Sequence, residues 1–526
     1  MPGVIISTEP WAARGSAAWG AARRHPVITG IGIVMLCLSG SYWWSHFVAG
    51  ARYPLFDLHI YRAAVQYWTA GNDIYDYSQY DMVNGTLGFT YPPLAAVLMA
   101  PMTVLSWPVM STLTVLAILV CGALCVRFCL RERVTLPPRK MWVAAGVGTA
   151  VVFALEPIRQ TAEFGQINVF LAALVLGDLL VLGRRDSRWT GVGVGLAMAL
   201  KLTPGIFLLY FLLSRQWRAM AVAVGAAVAA TLAAALVAPG ETWKFFTSLV
   251  FSDRTGYVGA TANQSINGLL ARFAYPGPPS HLLWLTAVAV VGFVAVKRIR
   301  TALARHDRLG AITLTGLVGA LISPVSWTHH FVWVIPAVVI VGARLLRTAQ
   351  QMLVAPPAGG AAAVWAQLRP VTGSIALALS GLLILGFDTR VMFKLPGVDY
   401  SNLSVFSVLA GSLLMFWSLA ALCVLPLGVP RRPAGLSWRE TAARLHRPPG
   451  RPPGLGAELR LPARGRGTRS VRVRSGAAGG DAEPMSPQGG VSDGSHATAE
   501  VHGPHHGARG GRRGGRHPAT AAERAE

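Results

Sequence analysis

The chain has 526 residues, is 53% hydrophobic and only 13% charged, and has a positive mean hydropathy. That composition excludes an ordinary soluble enzyme and fits an all-α, polytopic integral membrane protein, read as one embedded body rather than several soluble domains. The formal net charge of +24 falls largely between apolar runs, where it reports on orientation in a bilayer, and no nucleic-acid partner is expected.

Residues 1–26 are basic and precede the first apolar run, about 27–48, which has no small-residue cleavage site and reads as an uncleaved anchor leaving the N-terminus in the cytoplasm. Residues 49–92 then lie outside. The basic connectors at 131–140, 183–189, 214–218, 297–308 and 343–351 belong inside. To satisfy all of them, 93–128 crosses once in net terms, as a short half-helix 93–105 and a full span. Likewise 190–213 forms a helical hairpin turning at "KLTP" (201–204). The other spans fall near 141–156, 167–182, 219–238, 282–296, 309–322, 331–346, 372–387 and 402–426. About twelve crossings result, in a transmembrane domain 27–430. The remainder, 431–526, holds 17 Arg, no Lys and eight acids among many Pro and Gly, and is expected to be a disordered cytoplasmic tail.

The five cysteines all lie in apolar runs, so no disulfide framework is implied. Cys121, Cys125 and Cys129 repeat every fourth residue and stack on one helix face as small apolar packing.

The unusual polar residues gather on the connectors assigned to the outer face. In "FDLHIYRAAVQYWTAGNDIYDY" (56–77), Leu58, Tyr61, Val65 and Trp68 recur at helical spacing, which predicts an amphipathic helix over 58–70 lying on the membrane surface. Asp57 stands at its start, where a carboxylate serves as an N-cap. Beside His59 and flanked by Tyr61, Tyr75 and Tyr77, the same carboxylate also suits a general base facing a sugar. "GFTYPPLAAV" (88–97) offers Tyr91 at the mouth of a span whose prolines fix its entry.

"RQTAEFGQINVF" (159–170) brings Arg159, Glu163, Gln166 and Asn168 to an outer helix mouth, and carboxamides suit hydroxyl-rich ligands because they both donate and accept. Lys201 interrupts an apolar run, where an ammonium either snorkels or pairs, for instance with a lipid phosphate. "TANQSINGLLARF" (261–273) supplies Asn263, Gln264, Asn267 and the fork of Arg272. "SPVSWTHHFVW" (323–333) supplies Trp327 and places His329 and His330 at the start of a span, where a histidine can carry a proton near neutral pH.

No nucleotide-binding phosphate loop, nucleophile elbow or zinc-protease motif is present, and no Cys/His spacing fits a metal. The pattern left is a membrane-embedded site for lipid-borne substrates. A lipid or sugar transporter is the rival class; it calls for broken, charged spans and internal repetition, and here Asp178 is the clearest acid within a span and no repeat is found.

The segments "DLHIYRAAVQYWTAGNDIYDY", "GFTYPPLAAVLMAPM", "GQIN", "GLAMALKLTPGIFLLY", "NQSINGLLAR" and "SPVSWTHH", in this order over roughly 45–430, resemble the polyprenol-phosphate-mannose-dependent α-1,2-mannosyltransferases of actinobacteria. These are membrane glycosyltransferases of the GT-C architecture, acting on phosphatidylinositol mannosides and lipomannan. The resemblance implies polyprenyl-phosphate-mannose as donor, a mannosylated lipid as acceptor, and inverting transfer on the extracytoplasmic side of the plasma membrane without nucleotide sugar or ATP; no cofactor or metal is expected. It matches Asp57, His329 and His330 to the catalytic positions, and Lys201 to a Lys-Leu-Thr-Pro element. Within the same enzyme class, arabinofuranose or glucose is the alternative sugar.

Overall fold

The computed structural model describes residues 55–81, 85–251, 258–354, 357, 360–386 and 404–428, and almost all of its elements are helical. The expected first span at 27–48, the tail from 431 and the whole connector 388–401 lie outside the described residues. The described residues all belong to a unit running Met1–Pro448.

The first helix among the described residues, α1 (Phe56–Thr69), buries Leu58, Ile60, Tyr61, Ala64 and Val65 and turns His59 and Gln66 outward, the one-sided burial its apolar spacing predicts. Gly71 (φ +96°) ends it, and the Asn72 side chain donates to the Tyr67 carbonyl at 3.0 Å. Two short antiparallel strands, β1 (Ser78–Asp81) and β2 (Gly85–Gly88), pair with Ser78 opposite Gly88 and return the chain to α2 (Pro93–Met99).

The body follows as α3 (Trp107–Arg133), α4 (Pro138–Phe153), α5 (Glu156–Phe164), α6 (Asn168–Gly177), α7 (Val192–Leu200), α8 (Phe207–Leu213), α9 (Trp217–Val237) and α10 (Pro239–Thr247). It continues as α11 (Ile266–Ala274), α12 (His281–Ala304), α13 (Arg308–Ile322), α14 (Val334–Val354), α15 (Gly360–Leu368), α16 (Thr372–Gly386), α17 (Val405–Ala410) and α18 (Leu413–Val424).

Among the described residues, five helical runs are long and apolar enough to cross a ~30 Å hydrocarbon core: α3, α9, α12, α14 and the continuous stretch Gly360–Gly386. The pair α4–α5 makes a sixth if it counts as one bent span. Leu113, Leu116 and Val120 of α3, Val228, Leu232 and Leu236 of α9, and Leu282, Leu285 and Phe293 of α12 are exposed. Apolar faces of that size in a helical bundle are solvated by lipid tails. The protein is a helical, polytopic membrane protein.

Two local devices position what matters. Between α4 and α5 the chain bends by 84°, with Pro157 in the first turn of α5, and α5 is buried from Glu156 to Glu163. The stretch expected as an outer connector is therefore a short helix folded back into the protein.

Between α7 and α9 the approach is close: a Cβ added to Gly191 would lie 2.1 Å from the Ala219 carbonyl oxygen, and one on Gly195 would lie 2.3 Å from that of Ala223. Small residues spaced four apart permit such contact. The Asp178 carboxylate accepts the backbone N–H groups of Gly191 (2.8 Å) and Val194 (3.0 Å), capping α7. The one acid singled out inside a span thus holds a helix end.

Candidate active site

The end of α5 and the start of α1 are fastened together. Leu55 N–H donates to the Glu163 carbonyl at 2.7 Å, and Gly165 closes α5 in the left-handed conformation (φ +69°). A Cβ there would stand 2.8 Å from the Leu58 Cβ, so only glycine allows this approach. The next residue, Gln166, then meets Asp57: its Nε2 donates to Asp57 Oδ2.

From that bond a continuous polar chain runs across the site. Gln166 Oε1 accepts the Tyr91 hydroxyl at 2.9 Å and Asn168 Nδ2 at 3.4 Å. The Tyr61 and Tyr91 hydroxyls are 2.7 Å apart. Asn168 Oδ1 accepts Lys201 Nζ at 3.0 Å, and the same ammonium lies 3.0 Å from His330 Nε2 and 5.1 Å from the centre of the Tyr91 ring. Lys201 occupies the break where α7 ends in extended backbone (φ −156°) before a tight turn at Thr203–Ile206. Its ammonium is turned inward onto partners rather than outward to bulk solvent.

Burial raises the Asp57 carboxyl to about 6, against the lowering effects of the Gln166 bond and the Lys201 charge. Burial likewise brings Lys201 down to about 7, with the Asp57 charge opposing it. His330 is held well below the ordinary imidazole range by burial, then by Lys201 and His329. At neutral pH its ring is therefore neutral, and Lys201 is the more readily protonated of the two. His329 is buried, edge-on to Phe164 at 5.7 Å and to the His330 ring at 4.9 Å.

Asp57 does not cap α1. The cap position is Leu55 in the left-handed region (φ 61°), with no side-chain cap bond, and Asp57 lies in the first turn. His59 is exposed and stacks on Trp107, with ring centres 3.5 Å apart. Arg159 is buried within α5, pairing with Glu163 at 3.5 Å and donating to the Ala154 carbonyl at 3.1 Å.

A second polar cluster forms around the start of α11. The Asn263 amide bonds the Val258 carbonyl and the N–H groups of Ser265 and Ser326. Gln264 bonds the carbonyls of Thr261 and Gly411 and the N–H of Met415. Arg272 donates to the carbonyls of Ala260 and Asn263 and to Ser412 Oγ at 2.8 Å. These side chains tie α11 to α18 and, through the backbone bridge of Asn263 with Trp327, to the histidine segment. Asn263 is fully buried.

Two contributors escaped the sequence reading. Phe164 packs against His329, and Lys244 of α10 bonds Asp73 (2.8 Å) and Asp76 (2.6 Å), anchoring the turn after α1. A lone lysine in "ETWKFF" facing an acid-bearing loop was the available signal. Among the described residues no group of three His, Cys, Asp or Glu could hold a metal.

A helical membrane body thus carries a partly buried carboxylate, an ammonium and an imidazole on one polar chain. The chain belongs to glycosyltransferase family 87, whose model matches residues 89–324.

It is 34% identical over 415 residues to a polyprenol-phosphate-mannose-dependent alpha-(1-2)-phosphatidylinositol mannoside mannosyltransferase of Mycolicibacterium smegmatis, covering 75% of this chain and 88% of that protein. To the Mycobacterium tuberculosis protein of the same description it is 35% identical over 299 residues, 54% of this chain and 70% of that one. A phosphatidylinositol pentamannoside mannosyltransferase of Mycolicibacterium smegmatis is 33% identical over 301 residues, 56% and 70% of the two chains. No solved structure matches significantly.

Proposed function

We propose that this protein transfers mannose from polyprenyl-phosphate-mannose to a mannosylated phosphatidylinositol-type lipid, forming an α-1,2 linkage with inversion on the outer face of the plasma membrane. The body is then a GT-C fold of twelve crossings, with α1 lying along the outer interface. The donor and acceptor classes are those named for the similar mycobacterial enzymes. The observation that carries the reading is the hydrogen-bonded chain from Asp57 through Gln166 and Asn168 to Lys201.

Asp57 takes the proton of the acceptor hydroxyl as that oxygen bonds the anomeric carbon. The anomeric carbon–oxygen bond to phosphate breaks from the opposite face, and the polyprenyl phosphate departs against Lys201. Gln166 aims the carboxylate and keeps it ionised by donating to it. Tyr61 and Tyr91 hold Gln166 in turn, and His330, neutral, accepts from Lys201 and directs its charge.

The test is purified full-length protein incubated with radiolabelled polyprenyl-phosphate-mannose and a panel of mannosylated lipids, the product being digested with an α-1,2-specific mannosidase. Labelled lipid sensitive to that enzyme is expected; no transfer, or a resistant product, refutes the reading. Asp57→Asn keeps an oxygen for Gln166 but cannot take the proton, so transfer is expected to fall on the order of 10²-fold or more at unchanged expression. Near-full activity in that variant removes Asp57 from the role of base.

A further inference from the structure

Outside the charged cluster, the strand pair beside it encloses an open cleft of about 170 Å³, lined by Tyr75, Asp76, Tyr77, Ser78, Thr86 and Thr90. Ser78, Thr86 and Thr90 present exposed hydroxyls, Asp76 presents a carboxylate, Tyr77 contributes a half-buried ring, and no aliphatic side chain lines it.

The walls are held firmly. Lys244 clamps Asp73 and Asp76, the Asp73 carboxylate accepts Tyr75 N–H at 2.8 Å, and the Tyr75 ring packs on Phe245 with centres 5.7 Å apart. The cleft also adjoins the reacting centre. Tyr75 donates its hydroxyl to the Tyr91 carbonyl at 2.9 Å, Thr90 precedes Tyr91 in the chain, and the Tyr91 hydroxyl bonds the amide that holds Asp57.

Each property narrows the ligand. The nearest ammonium is engaged by Asp73 and Asp76, and the lining adds a negative charge, which disfavours a phosphate. The absence of an aliphatic wall disfavours an acyl or polyprenyl tail. Hydroxyls and a carboxylate around an aromatic face match a neutral polyol. Pockets for drug-sized ligands start near ~300 Å³, so this cleft takes a single ring.

We propose that the cleft under β1–β2 is a hexose subsite, binding the sugar ring of the acceptor that neighbours the one receiving mannose. This rests on the mannosyl-transfer reading and assigns the acceptor, rather than the donor, to this side of Asp57. A preformed polyol site here selects acceptors that already carry more than one sugar.

The experiment uses the full chain in detergent, as wild type, Tyr77→Ala and the double variant Thr86→Val/Thr90→Val, whose exposed near-isosteric changes leave the fold intact. First, α-1,2-mannobiose is titrated without donor and its contacts are read by saturation-transfer NMR; wild type is expected to show them and both variants to weaken them. Second, steady-state transfer is expected to show acceptor KM raised about 3–10-fold, the range for one lost hydrogen bond, with donor KM within twofold. Unchanged mannobiose contacts and acceptor KM in both variants overturn the subsite, as does a rise confined to donor KM. If wild type transfers no mannose at all, the transfer reading fails, and the NMR arm still decides the subsite: variant-sensitive contacts keep it, absent or variant-insensitive contacts sink it.

Discussion

Asp57 and Lys201 face one another across two carboxamides, and in the proposed mechanism their shifted pKa values set the pH range of transfer. The base must be ionised, so activity rises as pH passes upward through about 6; the ammonium must be charged, so activity falls as pH passes upward through about 7. A narrow bell in kcat/KM is expected. Lys201→Arg, whose guanidinium stays protonated throughout, should flatten the alkaline limb, and Gln166→Met, which removes the donor to Asp57, should move the acid limb upward. A pH profile unchanged in both variants would detach these residues from turnover. Lys201 was legible in the sequence because an ammonium within an apolar run demands a partner. That Asp57 serves no cap was not legible, since nothing about a leucine announces that Leu55 takes a left-handed conformation. The neutrality of His330 was equally hidden, because it depends first on burial and then on Lys201 arriving from another helix break.

At the level of elements, α5 is the least expected piece. Its polar sequence reads as a loop, yet Glu156 accepts from Gln160 at 2.9 Å and Arg159 pairs with Glu163, so the polar residues answer one another at helical spacing and the helix can be buried. That i,i+4 pattern was the overlooked signal, whereas α1, with a clear apolar stripe, was placed within two residues. The joint between them is Gly165. Gly165→Ala forces a left-handed alanine, at about 1–2 kcal/mol, and drives its Cβ against Leu58, prising Asp57 from Gln166. Thermal unfolding should shift downward and transfer should fall by more than stability alone explains. Gly146→Ala, at a position with open space around it, should do neither. Equal behaviour of the two variants would show that the α1–α5 joint does not set the site.

Across the whole molecule, hydropathy found the embedded body but could not count its crossings, because long apolar stretches are cut by turns at Ala100–Val104 and Thr203–Ile206 and by the bend between α4 and α5, none of which alters mean hydropathy. The end of the body is sharply marked. Asp307, buried and bonded to Arg133 at 2.6 Å, also accepts Gly428 N–H at 2.9 Å, while Arg298 and Arg305 donate to the carbonyls of Leu422 and Leu427. Truncation after residue 430 keeps all of these and should preserve transfer. Truncation after residue 424 removes the last turn they hold, and should lower the unfolding temperature and the yield of active protein. Loss of activity in a well-expressed 1–430 chain would give the tail a function. The link between Asp57 and Lys201 has an electrical consequence as well. In the proposed transfer, the carboxylate loses one negative charge by accepting a proton while the departing phosphate gains one, at the two ends of that hydrogen-bonded chain. The proposed turnover thus leaves the net charge of the site unchanged, so the body need not rearrange its other charges to accommodate the products.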